Sequence, residues 1–159
     1  LRGNHEDKHL RIATGELTPA PSQVICKEQC GPDYDEVLAY IAHLPMYLDL
    51  PEATVVHAGF DPARPADQQL PNVLMRARWP GMKFGGDPVG WTERYRGTKP
   101  VVFGHTVFET ARVVGRTFGI DTGACHGQHL TALVLPQERL VSVRARENYW
   151  SQARKGGQI

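Results

Sequence analysis

Three short segments of this chain each carry a side chain that can bind a metal ion. Val55-Val56 leads directly into His57, and Val101-Val102-Phe103-Gly104 leads into His105, so both histidines follow apolar, strand-like runs. Asn4 lies in a turn-like segment near the start of the chain. Open α/β sheets place their ligands at the carboxyl ends of the strands. This layout therefore indicates a catalytic metal site.

The three segments also resemble a known family. Gly3-Asn4-His5-Glu6, His57-Ala58-Gly59 and Gly104-His105-Thr106, in this order, resemble the last three signature blocks of the calcineurin-like metallophosphoesterases. The stretch over residues 95–133 resembles the bacterial branch of the phosphoprotein phosphatase type, which includes symmetrical diadenosine tetraphosphatases and the phosphatase module of bacterial RNA-repair enzymes. The resemblance implies an α/β fold, a sandwich of two mixed sheets flanked by helices.

The resemblance assigns roles to four of these residues. Asn4, through its amide oxygen, His57 and His105 are implied to bind one of two divalent metal ions. A mixed set of oxygen and imidazole ligands suits manganese, iron or zinc, and manganese is the expected ion. His5 is implied to act as the general acid that protonates the leaving oxygen. The implied activity is metal-dependent hydrolysis of a phosphoester.

Two further positions carry alternatives. The resemblance aligns Arg76 with an arginine that clamps the phosphoryl group, and Arg78 competes for that role because the register is uncertain by a residue or two. Asp121, just after a predicted strand, either orients the imidazole of His105 or caps the backbone amides of a turn. Both alternatives stay open at the level of sequence.

One departure from the family pattern affects the functional expectation. The family begins with Asp-x-His and Gly-Asp-x-x-Asp-Arg-Gly, and neither motif occurs in these 159 residues, which start at Leu1. We therefore expect residues 1–150 to be the carboxyl-terminal part of a single domain that is incomplete at its amino terminus, and residues 151–159 to be a polar tail. One metal would then lack its ligands, and the fragment alone would be inactive. The alternative function is a non-catalytic binding module.

Composition narrows the class of partner. The chain has 18 Lys+Arg against 17 Asp+Glu, so the net charge does not indicate a nucleic-acid partner. The partner that the resemblance implies is a phosphorylated substrate, which is a phosphoprotein, a dinucleoside polyphosphate or a polynucleotide end. Three cysteines, with no apolar run approaching the ~18 residues of a membrane span, favour a reduced, cytoplasmic protein that does not contact a membrane. The resemblance implies a bacterial source.

The hydrophobic pattern predicts the elements that position these residues. A helix is expected over residues 6–13, a polar connector over 15–31, and a second helix after Asp33. A long loop is expected over residues 60–98, with a helical candidate near 74–78. The last strand should be half-buried because Val141, Val143 and Ala145 alternate with polar residues. Strands are predicted at residues 46–50, 54–57, 100–103, 111–114, 117–120, 130–135 and 140–145.

Overall fold

The computed structural model describes residues 1–77 and 87–155. Within them it contains five α-helices: α1 (Asn4–Ala13), α2 (Pro21–Cys30), α3 (Tyr34–Ala42), α4 (Pro71–Arg76) and α5 (Tyr149–Lys155). The predicted helices over residues 6–13 and after Asp33 are confirmed. The predicted connector over residues 15–31 is wrong, because α2 occupies most of it.

Helix α1 begins at the segment that carries the first candidate ligand. Its first turn is closed by the Glu6 carboxylate, whose Oε2 accepts a hydrogen bond from the Gly3 amide at 2.8 Å. Glu6 and Asp7 also place negative charge at the positive end of the helix. These interactions fix the start of α1, and they therefore fix the positions of Asn4 and His5 in its first turn.

The central sheet is mixed and has the strand order β1-β2-β3-β5-β4. Strands β2, β3 and β5 are parallel to one another, and β1 and β4 pair antiparallel at the two edges. All of these strands fall where the sequence predicts them. Their bounds are β1 (Tyr47–Asp49), β2 (Thr54–Val56), β3 (Val101–Phe103), β4 (Arg112–Val114) and β5 (Thr117–Gly119).

Apolar side chains cover both faces of this sheet. Val101 and Phe103 pack on one face in a cluster with Trp91, while Val102 packs on the other face with Phe118. A strand that contributes to two cores must be apolar at every position, which explains the unbroken run in β3. The centre of the sheet is therefore a rigid support for the loops that follow its strands.

Strands β6 (His129–Val134) and β7 (Arg139–Arg144) form a separate antiparallel sheet of two strands in the described part of the chain. The expected second mixed sheet is not confirmed by these two strands. Leu133 packs against the cluster of Val102 and Phe118. On the opposite face Leu130 pairs with Val143, and these two side chains are 64% and 59% exposed. The expectation that β7 is half-buried is also wrong, since all its residues are exposed.

The carboxyl-terminal region also differs from expectation. Helix α5 continues through Lys155, where the sequence predicts a polar tail. In residues 1–77 and 87–155, no helix combines the length and apolar character needed to cross a membrane.

Candidate metal and phosphate site

The three parallel strands all lead toward the same edge of the sheet. His57 directly follows β2, Gly104 and His105 follow β3, and Asp121 lies two residues beyond β5. Because the strands run in the same direction, their carboxyl ends lie side by side. The arrangement brings together residues that are up to 64 positions apart in the sequence.

The predicted ligand atoms converge at this edge. The Nε2 atom of His57 lies 2.9 Å from Oδ1 of Asn4 and 3.2 Å from Nδ1 of His105. Atoms bound to one metal ion at about 2.0–2.2 Å, at right angles, are about 3 Å apart. Both distances from Nε2 of His57 therefore match the separation of two ligand atoms on a shared ion.

The chemistry of the donor set also fits a divalent ion. One amide oxygen and two imidazole nitrogens suit manganese, iron or zinc. Across the described residues, no three His, Cys, Asp or Glu side chains form a metal-binding cluster, so the amide of Asn4 is essential to the assignment. Burial and, secondarily, the neighbouring His105 lower the pKa of His57 to about 4. His57 is therefore the neutral imidazole that a metal requires at neutral pH.

Main-chain hydrogen bonds hold the ligand-bearing loops together. The amide of Gly104 donates to the carbonyl of His57 at 2.9 Å. The amide of Ala58 donates to the carbonyl of Leu74 in α4 at 2.7 Å. The loops after β2 and β3 and the end of α4 are consequently fixed to one another independently of any side chain.

The backbone around the ligands is close-packed and locally strained. A Cβ atom on Gly3 would lie 2.7 Å from Cε1 of His57 and 2.8 Å from the Glu6 carboxylate, so only glycine allows this approach. His105 has a positive φ of 68°, in the left-handed region that non-glycine residues rarely adopt. Such conformations persist where the surrounding structure enforces them, and they concentrate at functional sites.

Arg76 lies at the end of α4, where it is held by two polar partners. Its Nη2 donates to Oδ2 of Asp7 at 2.6 Å, and its Nη1 donates to Oδ1 of Asn72 at 3.4 Å. The side chains of Arg76 and Asp7 are only 20% and 16% exposed. Asp7 follows Asn4 by three residues, so this ion pair connects α4 to the metal-ligand helix. Arg78 lies outside the described residues.

Asp121 shows one of its two expected interactions. Its Oδ1 accepts a hydrogen bond from the Gly123 amide at 3.1 Å, which is the contact of a turn aspartate. Its charge also acts to raise the pKa of His57, although burial outweighs this effect. A role in orienting the imidazole of His105 stays a prediction.

His5 is adjacent to Asn4 and lines a cavity between α1, α2 and α3. Burial, and next the charge of Lys8, lower the pKa of the His5 imidazole. Its assignment as a general acid also stays a prediction.

Sequence reasoning missed Asp7, the partner of Arg76. The two residues are 69 positions apart, and no local pattern connects them. The only available signal was the spacing of Asp7 from Asn4, since residues three apart on a helix share a face.

Comparisons with known proteins show which proteins this chain is similar to. No family model matches the chain. It is 31% identical over 157 residues to the asymmetrical bis(5'-nucleosyl)-tetraphosphatase PrpE of Bacillus cereus (strain Q1), with 89% of this chain and 64% of that protein covered. It is 34% identical over 137 residues to the protein of the same name from Bacillus anthracis (strain CDC 684 / NRRL 3495), with 83% and 54% covered. The chain thus spans about half to two thirds of the length of these relatives.

A solved structure shares the fold. The crystal structure of a protein provisionally assigned as a diadenosine tetraphosphatase superposes with a TM-score of 0.72, at 27% identity, and covers 90% of this chain and 66% of that one. The α/β fold expected from the sequence is therefore confirmed at this level. The bacterial relatives above are the asymmetrical type, whereas the resemblance in the sequence had pointed to symmetrical enzymes.

Proposed function

We propose that the protein is a metal-dependent phosphoester hydrolase whose substrate is a dinucleoside polyphosphate. The observation that carries the proposal is the convergence of Asn4, His57 and His105 at the carboxyl edge of three parallel strands. The names of the similar proteins favour a dinucleoside polyphosphate over a phosphoprotein or a polynucleotide end.

Asn4, His57 and His105 would hold one divalent ion, which we propose to be manganese, with iron or zinc as alternatives. When bound, divalent ions supply Lewis-acid stabilisation of phosphoryl oxygens and lower the pKa of water. The family resemblance implies a second ion, for which the residues of this chain provide no assigned ligands. The low pKa of His57 keeps its imidazole free of a competing proton.

Arg76 would bind the phosphate beside this centre. Asp7 and Asn72 occupy only part of the guanidinium fork, so the remaining N–H groups are available to phosphate oxygens. The ion pair with Asp7 holds the fork in one orientation, which reduces the conformational entropy lost on binding. His5 would donate a proton to the leaving oxygen from the side of α1.

The proposal is tested with diadenosine tetraphosphate and the full-length protein, after chelation and after addition of manganese. We expect hydrolysis only with the added ion, and we expect none from a His57→Ala variant. The products locate the cut, since AMP plus ATP indicate asymmetrical cleavage and two ADP molecules indicate symmetrical cleavage. Activity that survives exhaustive chelation would contradict the metal mechanism. Metal binding without any turnover would favour the alternative of a non-catalytic binding module.

A further inference from the structure

A cavity of about 210 Å³ extends from the metal-ligand segment into the space between α1, α2 and α3. Its end on α1 is formed by His5 and Glu6, next to Asn4. The opposite walls come from α2 and α3. A group bound in this cavity would therefore lie against His5, the proposed proton donor.

One wall of the cavity contains a largely buried glutamine. Gln23 on α2 is only 4% exposed. Its side chain lines the cavity, so its amide can meet a bound group. A ligand that offers both a donor and an acceptor would pair with the oxygen and the nitrogen of this amide.

The other walls suit a flat aromatic ring. Val37 and Ile41 of α3 are apolar, and Cys26 adds a polarizable surface. Tyr34 also lines the cavity, and its hydroxyl is hydrogen-bonded to Nδ1 of His9 at 2.9 Å. The T-shaped contact of these two rings, with centroids 5.8 Å apart, fixes that part of the wall.

We propose that this cavity binds a nucleobase of the substrate, with Gln23 recognising the edge of the base. The proposal rests on the proposed function, because it takes the substrate to be a nucleotide with its phosphates at the metal site. The cavity is smaller than the roughly 300–1,000 Å³ of sites for drug-sized ligands, and so fits one ring system rather than a whole dinucleotide. A glutamine amide can pair with the donor and acceptor of a base edge through two hydrogen bonds.

The first experiment compares AMP with ribose 5-phosphate, which lacks only the base. Each is measured as a competitive inhibitor of p-nitrophenyl phosphate hydrolysis by the full-length protein. We expect AMP to bind about tenfold or more tightly. Gln23→Leu should reduce the affinity for AMP by about three- to tenfold and leave ribose 5-phosphate unchanged. Gln29→Leu is the matched control, since Gln29 lies on the same helix and is exposed.

The second experiment does not depend on turnover. AMP should slow the alkylation of Cys26 in the cavity wall and leave the exposed Cys125 unprotected. Ribose 5-phosphate should protect neither thiol. Because burial raises the pKa of the Cys26 thiol, the reaction is followed at mildly alkaline pH by mass spectrometry. Val37→Trp, a change at a partly exposed position of the wall, should abolish the protection by AMP.

Equal affinity for AMP and ribose 5-phosphate, or equal behaviour of Gln23→Leu and the unmodified protein, would overturn the nucleobase site. A failure of the proposed function has a different signature, which is the absence of metal-dependent hydrolysis and of inhibition by inorganic phosphate. The two proposals can therefore fail separately.

Discussion

The centre of the main sheet and the β6–β7 hairpin are both built from apolar, β-branched sequence, yet they differ in what covers them. In the centre of the sheet, β3 is completely buried and leads to His105. In the hairpin, Leu130 and Val143 face outward and are mostly exposed. The difference teaches that an apolar run identifies a strand, whereas its burial depends on elements elsewhere in the structure. It also distinguishes the packed support of the site from the exposed outer face of the hairpin.

The largest effect on activity is expected from removing a proposed metal ligand at the carboxyl ends of the parallel strands. His57→Ala leaves one imidazole and one amide, too few to hold the ion, so metal binding by calorimetry and metal-dependent hydrolysis should both fall below detection. Leu130→Ala on the hairpin is the control, and it should retain both. If the two variants behave alike, the contrast between the two regions does not extend to function.

The second effect concerns the proton donor beside the ligands. His5→Ala should lower turnover by about 10²–10⁴ on a substrate with a poor leaving group. The loss should be much smaller on p-nitrophenyl phosphate, whose leaving oxygen needs no proton, and metal content should be nearly unchanged. Equal losses on both substrates would refute the role of a general acid.

The third prediction compares the stability of the two regions. Phe103 is 1% exposed and contacts Trp91 with ring centroids 5.0 Å apart. Phe103→Ala should therefore reduce the free energy of unfolding by about 3–5 kcal/mol. Val143→Ala on the outer face of the hairpin should change it by less than about 0.5 kcal/mol. Urea denaturation of both variants provides the measurement, and a large effect at Val143 would show that its outer face is covered in solution.

The smallest effect on activity is expected from a substitution of Asp7, the ion-pair partner of Arg76. Asp7→Asn keeps the shape but removes the charge, so Arg76 should be oriented less firmly and KM for the phosphate ester should rise by about tenfold, with kcat less affected. Asp49→Asn, which breaks the exposed ion pair with Lys99, is the matched control and should leave KM unchanged. In an Arg76→Ala background the Asp7 change should have no further effect on KM.

Local patterns predicted much of the fold. Helix α1 and the central strands were predictable because their periodicity and the turns between them are encoded in neighbouring residues. Helix α2 was missed because Pro19, Pro21 and its polar composition resemble a connector. Proline at the first helical position and Gly31 at the end of the helix are nevertheless normal helix boundaries, and they were the overlooked signal.

The candidate site was predictable only in part. Asn4, His57 and His105 stand out because each is attached to a strand end or a recognisable turn. The pairing of Asp7 with Arg76 and the cavity at Gln23 arise where different helices meet, and no local rule specifies which residues of those helices lie close together. The exposure of Val143 has the same origin, since alternation defines the two faces of a strand but not the element that covers each of them.

The main-chain hydrogen bonds from Gly104 to His57 and from Ala58 to Leu74 have a practical consequence. They involve only atoms that every residue retains, so the frame around the site persists when the His57 side chain is replaced. If the cavity at Gln23 binds a nucleobase as proposed, a chain disabled at His57 should still bind nucleotides there and should not hydrolyse them. Such a chain would then be a reagent for isolating its ligand from a cell extract for identification by mass spectrometry.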